Sequence, residues 1–274
     1  MSPHFVPHDP TDTAPIVALH ASASGERQWR ALNDSLDDRF IVVAPNLPGY
    51  GSNTVSGMGV VAKHITLAIE KLGEPVHLVG HSFGGCVALK IAMQHSRLVK
   101  SMTLFEPAAF HLLSQTNCTD SAALDDLKRI ELELRSNAAN GQSDSGMSQF
   151  VDFWAGNGVF ECLSASKRNA LAAMSQSVIA DIGNCFAETW TSQQLARLEM
   201  PVQILMGLES PNLAQRASTL VFEAITQAEL VMLPGLGHMA PIDSPDWVNP
   251  RIQQHIARVE RSASHFGWPR RRAA

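Results

Sequence analysis

Val76-His77-Leu78-Val79-Gly80-His81-Ser82-Phe83-Gly84-Gly85-Cys86 is the stretch on which the reading of this chain turns. It opens on an apolar run, Val76 to Val79. A Gly-x-Ser-x-Gly pentapeptide, Gly80 to Gly84, follows with Gly85 behind it, and an apolar-periodic segment continues from Cys86 to Gln94. Strand, very tight turn and helix is the setting in which such a serine becomes a nucleophile. A serine held at strained backbone angles needs neighbours without Cβ atoms, and the glycines supply them. The turn lifts the Ser82 hydroxyl above the sheet edge. It also aims the next helix's N-terminus at that hydroxyl, where unpaired N–H groups can receive developing negative charge.

Outward from this stretch, short β-rich apolar runs alternate with helix-period segments. That pattern predicts an α/β fold, a mostly parallel sheet with helices on both faces. The expected strands are Pro15 to Leu19, Phe40 to Ala44, Val76 to Val79, Val99 to Phe105, Val202 to Met206 and Glu229 to Leu233. Helices are expected at about Arg27 to Leu36, Val60 to Leu72, Leu213 to Thr226 and Asp246 to Glu260. From Phe110 to Thr191 the alternation stops. That stretch is helix-prone at Leu124 to Leu134 and Lys167 to Met174, and it is broken at Asn140-Gly141 and Gly156-Asn157-Gly158. A helical block between two sheet strands reads as a lid over the strand ends. The expected division is a core of residues 1–109 and 192–274 with an inserted helical lid at 110–191.

Composition sets the outer limits. At 274 residues, 45% hydrophobic and 17% charged, the chain can bury one large core and has a globular balance. A net charge of −5 gives no electrostatic reason to expect nucleic acid as a partner. Cys86, Cys118, Cys162 and Cys185 show no CxxC pair, so neither a zinc site nor a disulfide framework is indicated. No metal and no cofactor is expected. The N-terminus, Met1 to Thr13, lacks the apolar stretch of a signal peptide, and no run reaches the roughly 20 apolar residues of a membrane span. The reading is a soluble, cytoplasmic protein with a small-molecule substrate, no membrane partner and the option of a homo-oligomer left open. The basic tail from Ser262 through Arg270-Arg271-Arg272 reads as a solvated terminus.

A serine nucleophile needs a base, and the base needs a group to orient it. In Gly235-Leu236-Gly237-His238-Met239 a histidine follows a strand and a glycine-rich turn near the C-terminus, where the base falls in the order nucleophile, acid, base. An oxyanion hole needs two backbone N–H groups. One is expected from Phe83 and the other from the loop Leu19-His20-Ala21-Ser22-Ala23-Ser24-Gly25.

Four segments, Leu19-His20-Ala21-Ser22, Asn46-Leu47-Pro48-Gly49-Tyr50-Gly51, Gly80 to Gly85 and Gly237-His238-Met239, occur in the order found in the α/β-hydrolase superfamily. The resemblance spans roughly Pro15 to Val259. It implies Ser82 as nucleophile, His238 as general base and then acid, and the amides of Ser22 and Phe83 as oxyanion hole. The chain looks closest to lid-bearing small-molecule hydrolases, which include esterases and carbon–carbon bond hydrolases.

Three positions depart from that pattern. The oxyanion loop usually begins His-Gly, and here it is His20-Ala21. The segment before Pro15 is too short for the two usual leading strands, so a sheet trimmed at that edge is expected. The usual acid lies in a Gly-x-x-Asp turn after the strand that follows the lid. Here that turn is Gly207-Leu208-Glu209-Ser210, and a serine cannot stabilise an imidazolium as a carboxylate does. Glu106 ends the strand before the lid and resembles the relocated acid of some haloalkane dehalogenases. It is the first choice for the missing acid. Glu209, one residue from the lost position, and a site without any carboxylate are the other two.

His20 is read as structural, its ring tying down the oxyanion loop, and His81 as packing beside the sheet. Phe153, Trp154, Phe160 and Trp190 either line a substrate pocket or fill the lid core. The implied chemistry is that of a serine hydrolase cleaving a small, largely apolar ester-like substrate through an acyl-enzyme on Ser82. A carbon–carbon bond hydrolase, an acyltransferase or a non-catalytic small-molecule receptor are the alternatives on the same fold.

Overall fold

The computed structural model describes residues 13–51, 56–115 and 118–265. The strands are β1 (Ile16–Leu19), β2 (Val42–Val43), β3 (Val76–His81), β4 (Val99–Phe105), β5 (Val202–Gly207) and β6 (Ala228–Leu233). They form one six-stranded sheet in the order β2-β1-β3-β4-β5-β6, and every pairing is parallel. The chain leaves β1 toward one edge and returns to lay β3 on its other side. Such a reversal opens a crevice at the carboxyl ends of the two strands, the place where open α/β sheets bind ligands. Register brings three chain segments there together, because Leu19 pairs with Gly80 and His81 with Phe105.

Helices cover both faces. They are α1 (Arg30–Ser35), α2 (Met58–Glu70) and α3 (Phe83–Gln94), then, beyond the insertion, α10 (Asn212–Ala224), α11 (Ala240–Asp243) and α12 (Pro245–His265). Alternate strand residues point to opposite faces. Ile16, Ala18, Val79 and Phe105 pack with Trp29 and with Val248, Ile252 and Ile256 of α12. Val17, Leu19, Leu78 and Leu104 pack with Ile65 of α2, Val87 of α3 and Ala217 of α10. Each fully buried Ile, Leu or Val of these layers contributes about 1.5–3 kcal/mol relative to exposure.

Between β4 and β5 lies a helical insertion: α4 (Cys118–Ala139), α5 (Ser143–Ala155), α6 (Val159–Cys162), α7 (Ala165–Ala172), α8 (Ser175–Ala187) and α9 (Ser192–Leu195). α4 and α5 part at Asn140-Gly141, and α5 and α6 part at Gly156-Asn157-Gly158. No strand interrupts the insertion among the described residues.

Two expected elements are shorter than the sequence pattern suggests. β2 keeps only Val42 and Val43 of the run Phe40 to Ala44, because this edge strand pairs on one side alone, with Ile16 and Val17. The helix expected over Arg27 to Leu36 begins as a 3₁₀ turn, Glu26–Trp29, before becoming α1. Among the described residues, no helix is long and apolar enough to cross a membrane. The arginine run at 270–272 lies outside the described residues.

Candidate active site

Ser82 sits between β3 and α3 with φ 53° and ψ −116°, outside the regions a serine ordinarily occupies. Its backbone is held on two sides: its N–H donates to Phe105 O at 3.0 Å, and its carbonyl accepts from Ala108 N at 3.0 Å and Cys86 N at 3.1 Å. Such a residue costs on the order of 1–3 kcal/mol, and the surrounding bonds maintain it. Gly84 is needed because a Cβ there would lie 2.4 Å from Leu19 O. Only a glycine lets α3 start this close to β1. Of all described non-glycine residues, three have positive φ: Ala23 in the loop after β1, and Ser82 and Glu106 directly after β3 and β4. Backbone strain is therefore concentrated at the crevice.

The side chains of His238 and Glu106 meet there. Nδ1 of His238 lies 2.6 Å from Glu106 Oε2, and the two side chains are 3% and 0% exposed. The other carboxylate oxygen, Oε1, accepts from Gly207 N at 2.7 Å and from the Ser210 hydroxyl at 2.6 Å. A buried carboxylate without such donors would be costly, and here both oxygens are engaged. Ser210, standing where an aspartate is usual, thus donates to the glutamate instead. Gly207 completes the cradle, since a Cβ at that position would fall 2.3 Å from Leu236 O. Glu209 is exposed, with its amide tied to Leu236 O, and it makes no contact with the imidazole.

His238 is held on its other sides as well. Its carbonyl oxygen lies 2.9 Å from His81 Nε2, and His81 Nδ1 lies 3.1 Å from the Gln28 amide nitrogen. The consistent assignment has Nε2–H of His81 donating and Nδ1 accepting. Burial pushes the His81 ring well below the usual histidine range, which keeps it neutral and compatible with that role. Gln28 Oε1 accepts in turn from Ala21 N at 3.0 Å, so one glutamine links the loop after β1 to the loop carrying His238. Above the imidazole, Trp154 of α5 stacks at 4.2 Å between ring centroids, tilted by 32°.

The loop after β1 brings Ser22 to the same cavity as Ser82. Among the described residues, neither the Ser22 nor the Phe83 amide makes a hydrogen bond, and both residues line a cavity with Ser82, Phe150, Trp154 and Asp181. The departure at Ala21 is harmless for a physical reason: the left-handed residue of this loop is Ala23 (φ 57°), two positions later. The His20 Nδ1–H donates to Ala21 O at 2.8 Å, and its Nε2 accepts from Leu47 N at 3.0 Å. This ring therefore ties the loop to the Asn46–Gly51 turn. Burial lowers its pKa to about 4, against the opposing effect of its bond to Ala21.

The cavity measures about 20 Å³, room for roughly one water molecule. No hydrogen bond joins Ser82 Oγ to His238 among the described residues. A larger hollow of about 410 Å³, lined by Arg129, Glu133, Phe153 and Asn157, opens on the insertion and touches none of these groups. Of the four aromatics, Trp154 reaches the cavity. Phe153 lines that outer hollow, Phe160 is buried, and Trp190 packs edge-on against His111.

Sequence reading passes over three residues of this site. Gln28 lies in a helix with no motif. Tyr50 belongs to a motif turn, but nothing in the pattern gives its hydroxyl a task. Asp181 stands alone as a charge in the apolar run Val178-Ile179-Ala180-Asp181-Ile182, and that isolation is its signal. Among the described residues, no group of three or more His, Cys, Asp or Glu is gathered to hold a metal ion.

Comparison with known proteins places this geometry. The chain is 21% identical over 252 residues to the (E)-2-((N-methylformamido)methylene)succinate hydrolase of Acinetobacter baylyi, covering 87% of this chain and 89% of that protein. Its fold superposes on an esterase from Thermogutta terrifontis with TM-score 0.69 at 19% identity, covering 90% of each chain. It also superposes on the meta-cleavage product hydrolase of Pseudomonas fluorescens IP01 with TM-score 0.66 at 18% identity, covering 92% of this chain and 93% of that one. The model of the alpha/beta hydrolase family matches residues 16–251. By that match, over a parallel sheet with a lid-like helical insertion, the chain is a member of the alpha/beta hydrolase family of enzymes.

Proposed function

We propose that the protein is a serine hydrolase acting on a small organic substrate beneath the helical insertion, with Ser82 as nucleophile, His238 as base and Glu106 as the orienting acid. The observation that carries this reading is the bond from His238 Nδ1 to a fully buried carboxylate at 2.6 Å. That contact directs Nε2, the other ring nitrogen, to take the Ser82 proton. Ser82 Oγ then bonds to the substrate carbonyl carbon, and the carbonyl electron pair moves to oxygen. The Ser22 and Phe83 amides receive that oxyanion, and the Phe83 amide opens α3, whose N-terminal dipole favours the same charge. Collapse expels the leaving group with the proton from His238. Water, deprotonated by the same ring, releases the acyl group and restores Ser82.

The bond broken is the finer question. The lining at Phe83, Phe110, Leu127, Phe150 and Trp154 fits a largely apolar acyl group. The resemblance to a meta-cleavage product hydrolase supports carbon–carbon bond hydrolysis as the alternative, and that to an esterase supports ester cleavage. Both chemistries run through the same acyl-enzyme. Free thiols at Cys86, Cys162 and Cys185 suit a cytoplasmic setting. Product analysis on p-nitrophenyl esters and on vinylogous 1,5-diketones separates the two chemistries. Either activity must vanish in Ser82→Ala. Turnover that survives this substitution contradicts the proposal.

A further inference from the structure

Asp181 has no part in the chemistry proposed above, yet it lines the same cavity as Ser82 and is only 3% exposed. It comes from α8 of the insertion, and its Oδ2 accepts two hydroxyls: Ser22 Oγ at 2.7 Å and Tyr50 OH at 2.6 Å. The Tyr50 oxygen accepts in turn from Ala23 N at 3.0 Å. Ser22 carries the candidate oxyanion amide, and Ala23, the next residue, holds the unfavourable left-handed φ of that loop. One lid carboxylate therefore grips the loop twice, once at the side chain of Ser22 and once, through Tyr50, at the amide of Ala23.

The rest of α8 docks beside this contact. Ser177 Oγ donates to Gly49 O, Asn184 Nδ2 donates to Ser56 O at 2.9 Å, and Asn184 Oδ1 accepts from Met58 N at 3.1 Å. With only about 20 Å³ free over Ser82, substrate entry requires part of the insertion to move. Any movement of α8 away from the core separates Asp181 from Ser22 and Tyr50. Burial pushes the Asp181 carboxyl up to about 7, against the hydrogen bonds from Tyr50 and Ser22 that pull it down. Holding a carboxylate here is costly, and the two hydroxyl donors are what the fold provides in return.

We propose that Asp181 is a positioning residue: it sets the Ser22 amide through Ser22 Oγ and the Tyr50–Ala23 link, so that the oxyanion hole is complete only when α8 is docked. This rests on the reading of Ser82 as nucleophile and of the Ser22 amide as oxyanion donor. The consequence is that closure of the insertion and competence of the site are one event, driven by the same two hydrogen bonds.

The test uses the rate at which a fluorophosphonate labels Ser82, which needs no natural substrate, because its P=O oxygen occupies the oxyanion position. It is paired with the affinity of a short-chain alkyl trifluoromethyl ketone, which forms a charged hemiketal on serine. Asp181→Leu keeps the branched outline and removes the acceptor of both hydroxyls; it is expected to slow labelling and weaken ketone binding by about 10- to 100-fold, part of what loss of an oxyanion donor costs. Binding of the uncharged methyl ketone should change by less than about threefold, as expected when only the charged state is affected. Asp181→Asn, which keeps one acceptor, should recover most of the labelling rate. A merely structural role would lower all three readouts together and would not separate the two ketones.

Where Asp181→Leu does not fold, Tyr50→Phe and Ser22→Ala each remove one link and are expected to act in the same direction by a smaller factor. Labelling at the wild-type rate in folded Asp181→Leu, or in both single-link variants, overturns this inference and leaves Ser82 as nucleophile intact. Absence of labelling in the wild-type protein overturns the parent reading and this one with it.

Discussion

Replacing Glu106 by glutamine preserves shape and removes charge. Its effect follows from which atoms face which. Oε1 accepts from Gly207 N and Ser210 Oγ, both donors, so the amide oxygen of the substituted side chain is kept on that side. The amide nitrogen is then presented to His238 Nδ1, which must become an acceptor, and the ring proton moves to Nε2. In that tautomer Nε2 cannot take the Ser82 proton. A wrong tautomer plus the lost carboxylate lowers kcat by roughly ten-thousandfold where such a triad operates, or about 5 kcal/mol of barrier. The fold loses little, because the packing and both Oε1 bonds persist. The assay is steady-state hydrolysis of whichever substrate the wild type accepts, read beside a thermal melt. Glu209→Gln is the matched control: that side chain is exposed, and substitution should leave both activity and stability within about 0.5 kcal/mol. Activity of Glu106→Gln within about tenfold of wild type would refute the tautomer argument.

Three further outcomes are expected. Ser210→Ala removes a buried hydroxyl donor to a charged acceptor and should destabilise by about 1.5–3 kcal/mol in urea unfolding while also lowering kcat; no change in either contradicts the cradle. Trp154→Ala empties a buried ring that covers His238, which should cost about 3–5 kcal/mol of stability and shift the acyl-length preference toward longer chains. An unchanged chain-length profile would mean that Trp154 does not bound the substrate space. Asp181 supplies the pH test. Its folded pKa of about 7 lies above the ordinary 3.8, so its contribution is fully present below about pH 4 and is lost as pH rises to about 7, a span worth about 4 kcal/mol. Urea melts of Asp181→Asn across that window should show a flatter pH dependence than wild type, and identical slopes would remove Asp181 as the cause.

Much of this molecule was legible in the chain because its signals are local. The apolar run into Gly80 and the periodic segment out of Ser82 specify a strand, a turn and a helix within about twenty residues. Asn140-Gly141 and Gly156-Asn157-Gly158 mark helix ends for the same reason. β2 came out shorter than read, since periodicity cannot tell how many edge residues find a partner. The vacancy at Ser210 is visible as a missing aspartate, and Glu106 stands out for ending the strand before the lid, at the same sheet edge as Ser82, where it resembles the relocated acid of some haloalkane dehalogenases. What no pattern announced was that Ser210 would donate to Glu106 across 104 positions. The links from Gln28 to His81 and from Ser22 and Tyr50 to Asp181 span 53, 159 and 131 positions, and each is made by a single polar side chain on an otherwise ordinary helix or turn. The Asp181 contacts depend on how the insertion settles on the sheet, and the Gln28 and Ser210 contacts on how the loops at the strand ends meet. That is a property of tertiary packing, which local periodicity does not encode.

Whether Ser82 is a nucleophile activated by His238 under the hold of Glu106 is read from one experiment. Folded protein is treated with a fluorophosphonate, digested, and the adduct is mapped by mass spectrometry in the wild type, Ser82→Ala and Glu106→Gln. A single adduct on Ser82 is expected in the wild type, none in Ser82→Ala, and labelling slowed by at least about a hundredfold in Glu106→Gln. An unlabelled Ser82 in the wild type, or equal labelling rates in wild type and Glu106→Gln, would contradict this activation.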